Sequence, residues 1–389
     1  MFQRRLHRHV LSCASLLTLV ASLHAADIHV PGDAPTIQDA VARAQDGDVI
    51  LVGPGVWAGP VLVAGKAVRL VAVQGPMVTT IDGGSSPSAV VLSGTAGAAT
   101  LEGFAVTGGT ACRIALPAGK ATVSRCRVAR GAGRGIEVTG PGTTLIEDCL
   151  VRDNAGGGVL ASGPLIPGSV LVSRCDIERN GSAAVAQGGG LRGDTIRAVD
   201  SLLAGNVARR GGGAAFVGAI EGCTFRGNEA TVEGGAYYAI QFDEFSGAYL
   251  VKDTAFLGNT APRAGGVLYP DPGFTLSPSH LFVGCTFAGN QDDGGGIGLE
   301  AHITAVAAGS ALSIDHCTFV DDALTASDKV FVTNSILRGA GTPFVDCKGL
   351  TVSFSDVQGG WPGTGNIDAD PLFVDAAHQV FALLPGSPC

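Results

Sequence analysis

A short unit recurs ten times along this chain of 389 residues, and a repeat of this kind limits what the chain can fold into more than any other feature it has. The unit is an apolar strand, two polar residues, a small residue that is usually Cys, any residue, and a large apolar one. Its early copies are Val-Ser-Arg-Cys126-Arg-Val128, Ile-Glu-Asp-Cys149-Leu-Val151 and Val-Ser-Arg-Cys175-Asp-Ile177. Ser201, Cys223, Thr254, Cys285, Cys317, Ser335 and Ser355 take the small position in the later copies. An Asn often follows the large apolar residue, and after a variable gap two or three Gly introduce another apolar strand.

The small residues lie 18 to 32 apart. Such an interval supplies one coil of a solenoid with three short strands, each hydrogen-bonded to its counterpart ~4.8 Å along the axis. Identical positions then stack. Cys126, Cys149, Cys175, Cys223, Cys285 and Cys317 are expected to form an interior ladder completed by Ser and Thr. Asn154, Asn180, Asn206, Asn228, Asn259 and Asn290 are expected to form a second ladder at a turn, where Asn tolerates left-handed backbone. Thr36 reads as the N-cap of a helix with Ile37, Val41 and Ala44 on one face, a lid for the first coil. Residues 49–52 and 68–73 read as the opening strands.

These residues carry a family resemblance. Val-Pro-Gly-Asp-Ala-Pro-Thr36-Ile-Gln-Asp-Ala-Val with Gly-Asp-Val-Ile-Leu-Val-Gly-Pro-Gly55, and Asp-Val-Gln-Gly-Gly-Trp361-Pro-Gly with Asn366-Ile-Asp-Ala-Asp-Pro-Leu-Phe373, resemble the first and last coils of secreted bacterial β-helix proteins of the pectin lyase-like class. The resemblance spans the mature chain. It implies an all-β, single-stranded right-handed parallel β-helix, a three-sheet solenoid with a short N-terminal capping helix. Residues 1–25 are then a signal peptide, 26–60 the cap and first strands, 61–375 the β-helix and 376–389 a tail segment. The class includes lyases, hydrolases, esterases, epimerases and many proteins without catalysis, so fold alone does not choose an activity.

Composition agrees with a solenoid. Gly, at 59 residues, suits many tight turns, and 46% apolar residues exclude a disordered chain. Arg4, Arg5 and Arg8 precede an apolar stretch at 10–22, and Leu23-His24-Ala25 offers a small-residue cleavage site. The stretch is too short to span a bilayer. Cys13 comes before its apolar core, against a lipid anchor. Cleavage removes three Arg and no acid, so the formal charge of −9 becomes more negative. An acidic surface disfavours nucleic acid and anionic membranes. The localisation expected is secreted, at the cell surface or in the periplasm, and the oligomeric state a monomer.

Cys347 and Cys389 lie outside the ladder and are the better disulfide candidates, while Cys112 has no evident partner. Ile314-Asp315-His316-Cys317 resembles the Asp-His-Cys coil of pectate lyases, where an aspartate helps hold calcium, which makes Asp315 and His316 weak catalytic candidates. Ca2+ is the one cofactor raised, with Asp315, Asp368 and Asp370 as weak ligands. The bland reading is that all of them are polar turn residues. Counting from the Gly runs, Glu137, Leu160, Arg192, Ala215, Tyr237, Leu268 and Gly298 are expected to point outward, with Tyr238 and Tyr269 inward. No carboxylate cluster beside a base results.

The coils from about 235 to 312 carry longer insertions, at 241–248, 270–279 and 301–309, and all four Tyr fall among them. Insertions at one repeat position emerge side by side, often as the binding face. Tyr237, Gln241, Asp243, Glu244, Tyr249, Asp271, Glu300 and His302 are the carbohydrate-binding candidates, aromatic faces for sugar C–H groups and polar groups for hydroxyls. The expected function is carbohydrate binding along a groove without evident catalysis, with a polysaccharide or cell-surface glycan as partner. A calcium-dependent polysaccharide lyase and a structural or adhesion spacer are the alternatives. The export reading predicts a mature N-terminus at Ala26 or Asp27, checked by N-terminal sequencing of exported protein; recovery of Met1 or an acylated Cys13 would overturn it.

Overall fold

The computed structural model describes residues 25–163, 169–238, 250–269, 280–292, 297–301, 312–326, 329–339, 341–347 and 349–389. The chain is a right-handed parallel β-helix. Strands such as Arg134–Val138, Val159–Ala161 and Leu191–Arg192 stack in parallel as sheet I. Thr144–Glu147, Val170–Ser173 and Ile196–Val199 belong to sheet II. Among the described residues sheet III stacks thirteen strands, including Arg127–Gly131, Leu150–Asn154 and Asp176–Glu178. The expected opening strands are Val49–Val52 and Arg69–Ala72.

Alternation decides what fills the interior. Ile136, Val159, Leu191, Ile146, Val172, Ala198, Val128, Val151 and Ile177 face inward from the three sheets, all within 2% of complete burial. Farther along, Phe225, Phe256, Phe287 and Phe319 occupy one stacked row with ring centroids 4.6–5.1 Å apart. The Cys ladder is inside as expected, reduced and buried from Cys126 to Cys317. Each thiol bonds a carbonyl two residues back, as Cys175 does to Ser173 at 3.3 Å. Where a hydroxyl replaces the thiol it accepts from the coil before: the Cys175 amide donates to Ser201 Oγ at 3.1 Å. Burial pushes the Cys223 thiol up to about 11, so that thiol stays protonated and inert.

Two corners explain the polar residues of the repeat. Between sheets II and III, Arg125, Asp148, Arg174, Asp200, Asp253, His316, Asn334 and Phe354 all adopt φ of 49–53°. Each coil turns through one left-handed residue, and in the exposed corner short or charged side chains bond across coils. Arg174, for example, meets Asp148 at 2.8 Å and Glu147 at 2.9 Å. After sheet III comes the Asn ladder. The backbone N–H and Nδ2 of Asn180 both donate to Asn206 Oδ1, at 3.0 and 3.2 Å, and Asn206 repeats this toward Asn228. The relay continues through Asn259 and Asn290 and ends on Asp322, which accepts from the Asn290 N–H at 2.9 Å and from its Nδ2 at 2.5 Å.

Both ends are closed. The helix Ile37–Arg43 covers the first coil with Ile37, Ala40 and Val41, and Thr36 Oγ1 accepts from the Asp39 N–H at 3.1 Å as its cap. At the other end Trp361 packs edge-on against Phe344, and the antiparallel pair Phe373–Asp375 and Val380–Leu383 follows. The disulfide expectation fails: the Cys347 thiol bonds the Leu324 carbonyl at 3.3 Å, while Cys389 sits 3.4 Å from Asp356 Oδ2.

Deleting one ladder amide leaves several buried groups unpaired, whereas deleting an exposed corner charge leaves groups that water can satisfy. Asn206→Ala should therefore cost about 3 kcal/mol or more, from orphaned groups worth about 1–3 kcal/mol each. Arg179→Ala, which breaks the exposed pairs with Asp153 and Glu178, should leave the denaturation midpoint nearly unchanged. Denaturant unfolding of the two variants measures the contrast.

Candidate functional site

On sheet I the register aligns Ile136, Val159, Leu191, Ala214, Tyr237 and Val267 in one row, and Glu137, Leu160, Arg192, Ala215, Tyr238 and Leu268 in the next. The first row is the core row. Tyr237 is 1% exposed, packs inside the solenoid and donates its hydroxyl to the Val217 carbonyl at 2.6 Å. The expectation that Tyr237 faces outward and Tyr238 inward is therefore reversed. The position just before the inward residue is Gly135, Gly158, Gly190 and Gly213 in the preceding coils and Gly266 in the following one, but Ala236 here. Counting from Gly235 shifts the phase by one residue, and a one-residue shift exchanges the two faces of a strand. The same register places Glu300, rather than Gly298, beside Leu268, across an irregularity between Ile297 and Leu299.

On the outer face Ala215, Phe216, Tyr238 and Ala264 form an apolar cluster of their own, separate from the core. Phe216 and Tyr238 meet edge to face with centroids 5.9 Å apart, at 7% and 5% exposure. Burial on the outside of a solenoid marks a floor. Phe216 holds φ at 60°, a conformation that costs a bulky residue on the order of 1–3 kcal/mol, and its N–H donates to the Tyr238 carbonyl.

Arginines ring this floor. The Arg192 guanidinium lies 5.9 Å from the Phe216 ring centre and that of Arg210 lies 5.7 Å from the Tyr238 ring centre. Arg210 Nε donates to Glu233 Oε1 at 2.6 Å, and Arg263 Nη1 approaches Glu233 Oε2 at 3.5 Å. Arg134, close to Glu137 and Arg192, continues the row toward the N-terminal coils, and burial lowers its affinity for its proton. Burial, and then the Glu233 charge, raise the Tyr238 phenol above its ordinary range. Glu233 in turn holds the proton on Arg210. Among the described residues around the floor, four arginines stand against Glu137 and Glu233, a basic balance on an acidic chain.

Of the sequence candidates, Gln241, Asp243, Glu244, Tyr249, Asp271 and His302 lie outside the described residues, and for Glu300 only the backbone is described. The strands Tyr237–Tyr238, Val267–Tyr269 and Ile297–Ala301 pair in succession, so the insertions that follow them begin from neighbouring coils. Phe216, Arg210, Glu233 and Arg263 are residues that sequence reasoning missed. Their signal is the position just before the Gly run, filled by Arg210 and Glu233 in two consecutive coils.

Asp315 and His316 are corner residues. Asp315 Oδ1 accepts from Thr333 Oγ1 and Asn334 Nδ2, both at 2.9 Å, and lies 3.0 Å from His316 Nδ1. Burial works to raise its pKa, but these hydrogen bonds outweigh it and hold the carboxyl below its usual range. Asp368 accepts from Arg338 at 2.8 Å and from the Gly359 N–H, and Asp370 accepts from the Leu372 N–H. Each thus has a structural role, and no group of three His, Cys, Asp or Glu among the described residues is placed to hold a metal ion. A second concavity, of about 590 Å³, opens between the last coils and the C-terminal segment, lined by His316, Asn334, Phe354, Asp356, Phe381 and Cys389. Asp356 is already engaged there by Arg338 and by the Ala369 N–H.

The family described as "Right handed beta helix region" matches residues 88–360. No curated protein matches the sequence. Among solved structures, a mannuronic acid specific polysaccharide family 6 lyase from human gut microbiota is similar at 10% identity, with a TM-score of 0.54 over 86% of this chain and 86% of that one. The PL6 family alginate lyase AlyGC is similar at 13% identity and a TM-score of 0.51, over 87% of this chain and 53% of that one, so the present chain spans about half its length. At such identities the likeness is one of fold. The inward placement of Tyr237 predicts that Tyr237→Phe, which strands a buried carbonyl, lowers stability by about 1–3 kcal/mol in denaturant unfolding.

Proposed function

We propose that this chain, which belongs to the right-handed β-helix family and has the pectin lyase-like solenoid, is an exported protein that binds a polysaccharide along the outer face of sheet I, without catalysis. The observation that carries this reading is the apolar floor of Phe216 and Tyr238, ringed by Arg134, Arg192, Arg210 and Arg263. A polymer laid parallel to the axis meets a new coil every ~4.8 Å, so modest contacts repeat along its length. The structures of similar fold named above are polysaccharide lyases, which supports a glycan as the partner class. The arginines favour glycans that bear carboxylates or sulfates. The insertions beginning after Tyr238, Tyr269 and Ala301 would wall the groove, with Gln241, Asp243, Glu244, Tyr249, Asp271, Glu300 and His302 as its further contacts.

Elimination from a uronate needs a base beside the acidic C–H. Tyr238 is held protonated, and Glu233 is engaged by two arginines. The floor therefore suits binding better than proton abstraction.

Mature protein should bind polygalacturonate or another acidic glycan on an array, and raised salt should weaken it. Arg192→Gln should reduce affinity about tenfold, the loss of one charge-assisted contact, with melting unchanged. Asp315→Ala should leave binding intact, and no unsaturated uronate should accumulate with or without Ca2+. Product formation that Asp315→Ala abolishes would establish the lyase alternative, and absence of binding to every glycan would favour the spacer.

A further inference from the structure

We infer that Asp322 is a proton-operated fastener, which docks the last coils of the solenoid firmly when protonated and loosens them when ionised. In three preceding coils the ladder turn reads Gly227-Asn228, Gly258-Asn259 and Gly289-Asn290, but in the next it reads Asp321-Asp322. Both positions change to acids at the point where the relay ends. Asp322 is 5% exposed, and each carboxyl oxygen accepts one hydrogen bond from Asn290.

An amide at this position would carry no charge at any pH. The carboxyl does the same work only when it holds a proton, because the ionised form is a charge taken from water with no cation paired to it among the described residues. The charged groups that face it make matters worse. Asp321 is its neighbour, and Asp292 belongs to the turn beyond Asn290. Arg338, on the next coil, accepts the Asp321 N–H through its carbonyl, but its guanidinium is committed to Asp356 and Asp368. Two Asn290 donors pull the other way. Burial prevails, and together with the two neighbouring carboxylates it pushes Asp322 up to about 7.

The sign follows from linkage. In the unfolded chain an Asp titrates near ~4, so between about 4 and about 7 the docked state holds a proton that the undocked state has lost. Stabilisation by this group is complete below pH ~4 and is lost as the pH rises to ~7, with the opening equilibrium growing by up to about tenfold per pH unit. The coils at stake are those that follow, from Ala323–Ala326 through Val330–Thr333 to Leu350–Ser353.

Hydrogen exchange of the full mature chain, measured by mass spectrometry from pH 5 to pH 8 and corrected for intrinsic rates, tests this. Wild-type protein should lose protection in residues 318–338 as pH rises, while the coils before Asn206 hold theirs. Asp322→Asn, which continues the relay, should raise protection at pH 8 and flatten the pH dependence of that segment. Asp321→Gly, which restores the Gly of the other coils and removes one like charge, should move the midpoint to lower pH, because a carboxyl relieved of a like charge ionises more readily. Equal pH dependence in wild type and Asp322→Asn, or an upward midpoint in Asp321→Gly, would overturn the proposal.

Discussion

The structure depends on one repeated bond, the amide of one coil held by the amide of the next. A parallel β-helix survives only if each coil returns to the path of the one before, and the corner after sheet III is where the path is most at risk. Segments of different length enter there, between the Asn and the Gly run. The Asn relay fixes the backbone before the segment leaves, and the glycines fix it on return. A Cβ on Gly213 would stand 2.7 Å from the Phe225 ring, and one on Gly158 would stand 3.0 Å from Ile177 Cγ2. Neither position can carry a side chain unless the core behind it gives way.

The two ends of the relay are unlike. Every ladder amide donates toward the C-terminal coils, so its donor end meets Asp322 and its acceptor end is Asn154. One coil earlier the ladder position is Gly131, and the space above it is filled by Arg113, whose guanidinium a Cβ there would meet at 2.3 Å. Arg113 is 3% exposed and donates to the Arg130 carbonyl at 3.0 Å and to that of Gly109. The aligned amides thus run from a buried guanidinium beside the acceptor end to a buried carboxyl at the donor end.

What could be read from the sequence is what the repeat states many times over. The Cys and Asn ladders, the capping helix and the corner role of Asp315 and His316 follow from a pattern in which each coil checks the others. The sheet I phase at Tyr237 could not be checked in this way, because Ala236 replaces the only landmark, a glycine, and alternation carries no further mark of which tyrosine is inside. Phe216 was invisible for a different reason. Its ring reaches the floor through a left-handed backbone that no propensity assigns to Phe.

The candidate site and the departures from the repeat coincide. Ala236 stands for Gly, Phe216 takes a strained conformation, and Arg210 and Glu233 end the short strands Val207–Arg210 and Glu229–Glu233, which pair with a register shift. A solenoid that only needed to be stable would repeat through these coils as it does elsewhere. Strain at Phe216 persists because the ladders on both sides of it over-determine the backbone, leaving the ring nowhere else to go. The rings in turn hold Arg192 and Arg210 at fixed heights above the sheet, so that ordering their side chains costs little when a ligand arrives. Rigidity in the interior and exception on one face are parts of the same arrangement: the repeat supplies a surface stiff enough for a few non-repeating residues to form a site.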